Sequence, residues 1–181
     1  MKIMIASDIH GSEIFCKKLI TAFEKENPDK LLLLGDILYH GPRNALPGEY
    51  NPKGVIEILN NIKDKIMCVR GNCDTEVDQM VLEFPILSDY CIIYAKNHLI
   101  YATHGHHIPK RELLSKNDAV LYGHTHVPRC EIEDEVLYLN PGSVSIPKNN
   151  SQHSYMVLDD THLYWKNLDM EIYNEFDLDN M

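Results

Sequence analysis

Short, continuous apolar runs recur along the chain and alternate with segments of helical periodicity. The first two runs lie at Lys2–Ala6 and 30–35 ("KLLLLG"), and between them apolar residues recur at helical spacing after the potential N-cap Ser12. Continuous apolar runs of this length are typical of parallel strands that are buried on both faces. Their alternation with helical segments predicts βαβ units, and therefore an α/β fold.

Later segments extend this pattern and then change its character. Strands are predicted at 66–69, 99–103 and 119–122, one or two antiparallel strands within 84–95, and helices after Asn51-Pro52 and at 109–116. The C-terminal sequences "EIEDEVLYLN" and "SYMVLDDTHLYW" each indicate two strands around an acidic turn. βαβ units followed by hairpins predict two packed sheets with helices outside them.

The totals of the sequence limit the class of protein. The 181 residues suit one domain over 1–181, and the acidic end at about 169–181 is expected to be a solvated tail or an edge segment. The net charge of −10 argues against a general nucleic-acid groove, and no apolar run approaches the roughly 18 residues of a membrane span. Five cysteines without a CxxC pair, and a beginning without a signal-peptide pattern, lead us to expect a reducing cytoplasm.

Polar residues of metal-binding types follow the predicted strands. Five strand ends read "SDIHG", "GDILYHGPRN", "RGNCD", "THGHH" and "GHTH". Because ligands bind at the carboxyl ends of strands in open α/β sheets, parallel strands would bring these side chains into one crevice. A single segment of this kind is more often a turn or a helix cap, but five in this order predict a joint metal site.

The series Asp-x-His, Gly-Asp, Gly-Asn, His-Gly and Gly-His-x-His resembles the calcineurin-like metallophosphoesterase superfamily over residues 2–165. The small size and "GDILYHGPRN" resemble its YfcE-type bacterial phosphodiesterase branch. The resemblance implies a four-layer α-β-β-α sandwich, with two mixed sheets flanked by helices, and two divalent ions side by side. One ion would be held by Asp8, His10, Asp36 and His126. The other would be held by Asp36, Asn72, His104 and His124, so that Asp36 bridges the pair.

The same resemblance implies a phosphodiesterase whose nucleophile is a metal-bridging hydroxide. Nitrogen and oxygen ligands without thiolate suit Mn²⁺, Zn²⁺, Fe²⁺, Ni²⁺, Co²⁺ or Mg²⁺. Among these ions we expect Mn²⁺, because the family resemblance implies it. Two ions bring about +4 against the carboxylates Asp8 and Asp36, which would draw an anionic phosphate to an acidic chain. The expected partner is a small phosphodiester substrate.

Residues beside the candidate ligands are predicted to act on the substrate. Cys73 stands where many relatives have a histidine that is described as protonating the leaving group, and a thiol suits that role less well at neutral pH. We therefore predict a preference for activated diesters over alkyl monoesters, although Cys73 could simply fill a turn. The substrate-binding candidates are Arg43, Asn44, Cys73 and His106, and the catalytic candidates are Asp36, Asn72, Cys73 and Arg43.

Two other functions remain open on sequence grounds. A phosphomonoesterase or protein phosphatase would use the same site. A protein-binding scaffold is the alternative from another class, because a eukaryotic retromer subunit has this fold and serves mainly in protein assembly. A scaffold of that kind is expected to have lost ligands, whereas all candidate positions here have metal-compatible residues. A homo-oligomer, either a dimer or a tetramer, is also expected, because sandwiches of this type expose apolar edges.

Overall fold

The computed structural model describes all 181 residues. In chain order the strands are β1 (Lys2–Ala6), β2 (Lys30–Leu33), β3 (Ile66–Cys68), β4 (Tyr90–Ala95), β5 (His98–Thr103), β6 (Ala119–Leu121), β7 (Arg129–Glu133), β8 (Val136–Asn140), β9 (Ser154–Asp159), β10 (His162–Asn167) and β11 (Ile172–Asp177). The helices are α1 (Glu13–Glu26), α2 (Pro52–Asn60) and α3 (Glu76–Gln79), and single 3₁₀ turns occur at Lys63–Lys65, Arg111–Leu113 and Leu178–Asn180. None of the helices has the length and apolar character that a membrane span requires.

The strands form two mixed sheets, whose orders are β11-β10-β9-β1-β2-β3 and β4-β5-β6-β8-β7. Within them, β1, β2 and β3 run parallel to one another, and so do β5, β6 and β8. Ala6 is paired with Leu33, and Leu33 with Cys68, so the polar loops after β1, β2 and β3 leave the sheet side by side. Ala102 is paired with Leu121 in the other sheet, so the loops after β5 and β6 also leave their sheet side by side.

Strand β1 separates two apolar cores. Ile3 and Ile5 pack between the two sheets, whereas Met4 and Ala6 pack against apolar residues of α1 and α2. Because successive strand side chains point to opposite faces, this strand is buried on both sides, as its continuous apolar sequence predicts. The loop that follows β1 is therefore held by both cores.

The predicted sandwich is confirmed, but the layer outside the five-stranded sheet contains little helix. The predicted helix at 109–116 was wrong, because only the 3₁₀ turn Arg111–Leu113 forms there. Arg111 donates a hydrogen bond to the Leu114 carbonyl (2.7 Å), and the Asp118 carboxylate accepts one from the Ser115 N–H (2.7 Å). These side chains satisfy backbone groups that a longer helix would have to pair, so the helix ends after one turn.

The predicted C-terminal hairpins are confirmed. Strands β7 and β8 pair antiparallel, and so do β9 and β10. Segment 84–95 contains one strand, β4, which pairs with β5. The acidic end contains β11, which pairs with β10 at the edge of the six-stranded sheet.

Candidate metal centre

Side chains from the loops after five strands converge at one end of the two sheets. The loops after β1, β2 and β3 supply two carboxylates, an amide and one imidazole, and those after β5 and β6 supply three imidazoles. The convergent residues are Asp8, His10, Asp36, Asn72, His104, His124 and His126. The structure thus brings all seven candidate ligands of the sequence together.

Four of these residues form a buried group that we call the deep cluster: Asp8, His10, Asp36 and His126. Asp8 Oδ1 lies 3.5 Å from His10 Nε2 and 3.3 Å from His126 Nε2. Asp36 Oδ2 lies 3.7 Å from His10 Nε2. All four residues are at most 2% exposed, so their polar atoms face one another rather than solvent.

The second group, the outer cluster, consists of Asp36, Asn72, His104 and His124. His104 Nε2 lies 3.5 Å from Asp36 Oδ2, 3.1 Å from Asn72 Oδ1 and 3.3 Å from His124 Nδ1. Asn72 is exposed and His124 is partly exposed, so this cluster faces solvent on one side. Asp36 Oδ2 contributes to both clusters.

Backbone carbonyl groups fix the orientation of three imidazoles. The Nδ1 atoms of His10, His104 and His126 lie 2.7, 2.6 and 2.7 Å from the carbonyl oxygens of Tyr39, Leu34 and Ile146. A carbonyl can only accept, so each Nδ1 carries a proton, and each Nε2 faces the clusters, where a neutral ring can offer its lone pair to a cation. This arrangement is typical of histidines that bind metals.

The contacts inside the clusters therefore bring acceptors together. His10 Nε2 and His126 Nε2 lie 3.3 Å apart, and both are acceptors when the rings are neutral with the proton on Nδ1. Asp8 Oδ1 is buried and has no hydrogen-bond partner. Buried polar atoms normally have partners, and a cation between these atoms would satisfy all of them. The residues fit divalent ions with nitrogen and oxygen ligands.

The electrostatics of the carboxylates favour the same interpretation. Burial opposes the ionisation of Asp8, but the His10 and His126 imidazoles outweigh it and hold the pKa of this carboxyl below its ordinary value. Burial also opposes the ionisation of Asp36, and His104 outweighs it, so this pKa too is lowered. Burial would lower the pKa of His104, but Asp36 and Asp8 raise it to about 9. Both carboxylates are therefore ionised in a buried place that attracts positive charge.

The backbone is left-handed at five of the candidate ligands. The φ angles are 59° at Asp8, 49° at His10, 55° at Asp36, and 63° at both His124 and His126. A residue other than glycine costs about 1–3 kcal/mol in such a conformation and keeps it only where its surroundings enforce it. Strained backbone of this kind clusters at functional sites.

Gly123 allows the two sheets to approach each other at the site. A Cβ at this position would lie 1.9 Å from Ser7 Oγ and 2.9 Å from Asp8 Oδ2, so no larger residue fits without displacement. The next residue, His124, donates its N–H to Asp8 Oδ2 (3.0 Å). This close approach joins the end of β6 to the end of β1.

Polar residues behind the ligands hold the loops in place. The Asp74 carboxylate accepts hydrogen bonds from the N–H groups of Asp36 (2.8 Å), Ile37 (2.9 Å) and Gly71 (2.7 Å), whereas Thr75 caps α3. Asp74 thus orients the Asp36 turn rather than a helix. The hydroxyl groups of Ser143 and Ser145 both donate to the Asp8 carbonyl (2.9 and 3.0 Å), contacts that no sequence motif predicts.

A polar cavity of about 410 Å³ opens beside the outer cluster. Beyond the candidate ligands, it is lined by residues 41–44, Cys73, Thr125 and Lys148, so Arg43 and Lys148 are its two flexible cations. Sequence reasoning predicted Arg43 but missed Lys148, which lies in the loop after β8 and donates its N–H to the His126 carbonyl (3.2 Å). No local motif marks Lys148: it reaches the site because β8 pairs parallel with β6, so that the loops after both strands lie at the same end of the sheet.

The other predicted substrate residues occupy different places. The Cys73 N–H donates to Asp36 Oδ1 (2.8 Å), and its sulfur accepts from Asn72 Nδ2 (3.3 Å). Burial, helped by Asp36, raises the pKa of the Cys73 thiol to about 12. Asn44 lines the cavity but donates to the His40 carbonyl (2.8 Å), which also gives it a role within its own loop. His106 is exposed near His104 and His124 and does not line the polar cavity.

Comparison with known proteins agrees with this geometry. The family model of the calcineurin-like phosphoesterase superfamily domain matches residues 1–162. The chain belongs to this superfamily. Within it, the chain is 47% identical to phosphodiesterase YfcE of Escherichia coli over 161 residues, which cover 88% of each chain. It is also 30% identical to phosphodiesterase MJ0936 of Methanocaldococcus jannaschii over 151 residues, 78% of this chain and 83% of the relative.

Solved structures give the same family fold. The structure of the E. coli phosphoesterase YfcE superposes with a TM-score of 0.92, at 43% identity, and covers 98% of this chain and 100% of that one. Vacuolar Protein Sorting 29 from Cryptosporidium parvum superposes with a TM-score of 0.62 over 97% of each chain, at 17% identity. At that identity the likeness concerns the fold alone.

Proposed function

We propose that the protein is a binuclear metal-dependent phosphodiesterase. The observation that carries this proposal is the pair of acceptor clusters that share Asp36 Oδ2, which lies 3.7 Å from His10 Nε2 and 3.5 Å from His104 Nε2. One ion would occupy the deep cluster and the other the outer cluster. The similarity to the phosphodiesterases YfcE and MJ0936 supports diester hydrolysis as the reaction.

The ligand chemistry also supports the choice of metal. Six of the candidate ligands are imidazoles or carboxylates, and the seventh is the amide of Asn72. We propose Mn²⁺ as the activating ion, and Zn²⁺, Fe²⁺, Ni²⁺, Co²⁺ and Mg²⁺ are the alternatives that this donor set accepts. When bound, the ions would supply a bridging hydroxide as nucleophile and neutralise charge on the phosphate.

The residues of the chain would bind and orient the substrate around this centre. Arg43 and Lys148 line the polar cavity and would donate hydrogen bonds to phosphate oxygens that the ions leave free. Asn72 offers its oxygen to the outer cluster while its amide nitrogen contacts Cys73. Asn44 keeps the Arg43 loop folded through its bond to the His40 carbonyl. His106 lies outside the cavity wall, so we propose at most a contact with a substrate that extends beyond it.

Cys73 supports a preference for diesters with good leaving groups. The ordinary pKa of a thiol lies above neutral pH and further from it than that of an imidazole, so Cys73 is a poorer proton donor than a histidine at this position. A leaving group that needs no proton avoids this weakness. We therefore expect the hydrolysis of aryl diesters to accelerate steeply as the leaving phenol becomes more acidic, from diphenyl phosphate to bis-p-nitrophenyl phosphate, and a flat dependence would contradict this role of Cys73. p-Nitrophenyl phosphate has the same leaving group as bis-p-nitrophenyl phosphate and tests the diester preference alone, so faster turnover of this monoester would contradict the proposed diesterase.

A direct test separates hydrolysis by solvent from a phospho-enzyme. Hydrolysis of a P-chiral aryl phosphorothioate diester in ¹⁸O-water should invert the configuration at phosphorus, because solvent oxygen displaces the leaving group in one in-line step. A covalent route through a side chain needs two displacements and would retain the configuration. Activity should also disappear after treatment with a chelator and return with Mn²⁺.

Each of the two alternative functions predicts a different result in one experiment. A phosphomonoesterase on the same site would hydrolyse p-nitrophenyl phosphate faster than the diester. A protein-binding scaffold would keep its partners after Asp36→Asn, because the fold and surface would persist, whereas an enzyme would lose its activity. The Vacuolar Protein Sorting 29 structures share the fold, and their low identity gives no reason to transfer a scaffold role.

We also propose a cytoplasmic location and a homo-oligomeric state. All five cysteines are free, which supports a reducing compartment. Strand β4 lies at the edge of its sheet and exposes Tyr90, Ile92 and Tyr94, so a second copy is the occupant that we propose for this surface. Light scattering of the purified protein should give the mass of a dimer or a tetramer, and Ile92→Lys should shift it toward the monomer.

A further inference from the structure

A second cavity adjoins the polar cavity on the other side of Cys73. It has a volume of about 400 Å³, and we call it the aromatic cleft. Its lining is mainly apolar and consists of Leu38, Tyr39, Tyr50, Pro52, Ile56, Cys73, Thr75, Val77, Asp78 and Val81. No lysine, arginine or histidine lines it, in contrast to the polar cavity.

Cys73 connects the two cavities to the candidate metal centre. It lines both cavities, and its sulfur lies within 4.8 Å of ligand atoms of His10 and Asp36. A phosphate held by both clusters would therefore have one of its substituents within reach of Cys73. A diester has two ester arms, and the cleft is the apolar space that continues from this point.

The walls of the aromatic cleft are fixed by the same contacts that build the metal centre. The Tyr39 carbonyl accepts the hydrogen bond from His10 Nδ1 (2.7 Å), so the Tyr39 ring is tied to the deep cluster. Tyr39 and Tyr50 each pack edge-to-face against His40, with centroid distances of 4.8 and 5.2 Å. α3 and its N-cap contribute Thr75, Val77 and Asp78 to the lining, and Thr75 and Asp78 form a capping box. The cleft is therefore preformed.

The chemistry of the lining selects the kind of arm. Asp78 is its only charged group, and no cation is present to accept an anionic arm. Aromatic rings and branched aliphatic side chains favour a flat, uncharged group through apolar burial and edge-to-face contact. We propose that the aromatic cleft binds one aromatic ester arm of the phosphodiester, an aryl group or a nucleobase. This inference rests on the proposed function, because it places the arm relative to a phosphate at the metal centre.

Binding of non-hydrolysable phosphonates tests the proposal without relying on turnover. The affinities are measured by isothermal titration calorimetry on the Mn²⁺-loaded protein. Phenylphosphonate should bind about tenfold more tightly than methylphosphonate, because only the phenyl group reaches the cleft. n-Hexylphosphonate has the same number of carbon atoms and should bind more weakly than phenylphosphonate. Equal affinities for the phenyl and methyl compounds would overturn the proposal that the cleft binds an ester arm. Tighter binding of the hexyl compound would overturn the proposal that this arm is aromatic.

Matched substitutions on α3 locate the effect. Val77 is 69% exposed in the cleft wall, and a carboxylate there suits the first turn of a helix, so Val77→Asp should fold. It should reduce the phenyl-to-methyl affinity ratio at least threefold, and Val77→Leu should keep the ratio. Met80 is 83% exposed just after the same helix and does not line the cleft, so Met80→Asp should keep it as well. A ratio that falls equally in Val77→Asp and Met80→Asp would show a general charge effect and overturn the proposal.

The same preparations distinguish failure of this inference from failure of the proposed function. If bis-p-nitrophenyl phosphate is hydrolysed but the two phosphonates bind equally, only the cleft is overturned. If neither phosphonate binds and no hydrolysis occurs, the proposed phosphate site is wrong, and the proposed role of the aromatic cleft is wrong as well.

Discussion

The deep cluster and the outer cluster differ in burial and in the sheets that supply them. The deep cluster takes Asp8, His10 and Asp36 from the six-stranded sheet and only His126 from the other sheet. The outer cluster takes Asp36 and Asn72 from the first sheet and His104 and His124 from the second. All residues of the deep cluster are buried, although Asp36 and His126 also line the polar cavity, whereas the outer cluster contains the exposed Asn72 and the partly exposed His124.

This difference indicates how the two proposed ions would divide their roles. An ion in the deep cluster would be surrounded by residues that are at most 2% exposed, so we expect it to exchange slowly. An ion in the outer cluster would face the substrate and exchange more easily. Each ion would join the two sheets, and Asp36 is the element that the two clusters share.

The largest expected effect comes from Asp36→Asn, because it removes charge from both clusters at once. We expect kcat/KM for bis-p-nitrophenyl phosphate to fall about a thousandfold or more, and bound metal to fall below one ion per chain. Asp160→Asn is a matched control, since Asp36 and Asp160 both have φ 55° and Asn tolerates that conformation. Full metal content in Asp36→Asn would show that this carboxylate does not bridge the clusters.

The comparison of His124→Ala with His126→Ala tests the separation of the clusters. Both residues have φ 63°, so the strain that alanine brings is the same in the two variants. His126→Ala should weaken the slowly exchanging ion, and His124→Ala the readily exchanging one, each with an activity loss of about a hundredfold. Metal analysis before and after dialysis measures this. Loss of the same ion in both variants would contradict the assignment.

Gly123→Ala tests the junction between the two sheets rather than either cluster. The added Cβ would meet Ser7 and Asp8, so we expect the free energy of unfolding to fall by about 1–3 kcal/mol and activity to fall about tenfold. Gly48→Ala is the control, because the nearest atom to its Cβ would be 3.7 Å away. Thermal and urea unfolding measure the stability. A stable Gly123→Ala variant with full activity would show that the close approach is not required.

Much of the site was predictable because its residues follow directly after buried strands. Asp8, Asp36, Asn72 and His104 lie at strand ends that short apolar runs mark in the sequence, and parallel pairing then brings them together. The division of "GHTH" between two clusters came from the family resemblance, and the distances agree with it. Local sequence is informative here because position along a strand determines position in space.

The parts that were missed depend on contacts across the fold. Ser143 and Ser145 act through hydroxyl bonds to the Asp8 carbonyl, and Lys148 through its place in the loop after β8. None of these carries a local motif. The helix predicted at 109–116 failed for a related reason, since Leu113 is 70% exposed and has no core to cover. Periodicity indicates a helix only where a partner buries its apolar face.

Lys148→Ala should have a smaller effect that is limited to the cavity side of the outer cluster. An exposed cation contributes modestly to binding an anion, so kcat/KM should fall about threefold to fivefold, mainly through KM. In Arg43→Ala, kcat/KM should fall by at least the same factor, because a guanidinium can make two hydrogen bonds to a phosphate. Lys25→Ala removes the same charge from the exposed surface of α1 and is the control. Equal losses in Lys25→Ala and Lys148→Ala would indicate only a long-range charge effect.

The smallest effect is expected from Cys73→Ser, although Cys73 lies at the centre of the site. Its N–H, which serine keeps, makes the bond to Asp36 Oδ1, whereas its side chain only accepts a weak bond from Asn72. The sulfur makes no other hydrogen bond, and serine can accept the same bond from Asn72, so kcat/KM for bis-p-nitrophenyl phosphate should stay within about threefold. A loss of more than a hundredfold with normal metal content would place the sulfur in the reaction itself. A loss of activity together with loss of the ion from the deep cluster would instead show that Cys73 is a further ligand of that ion.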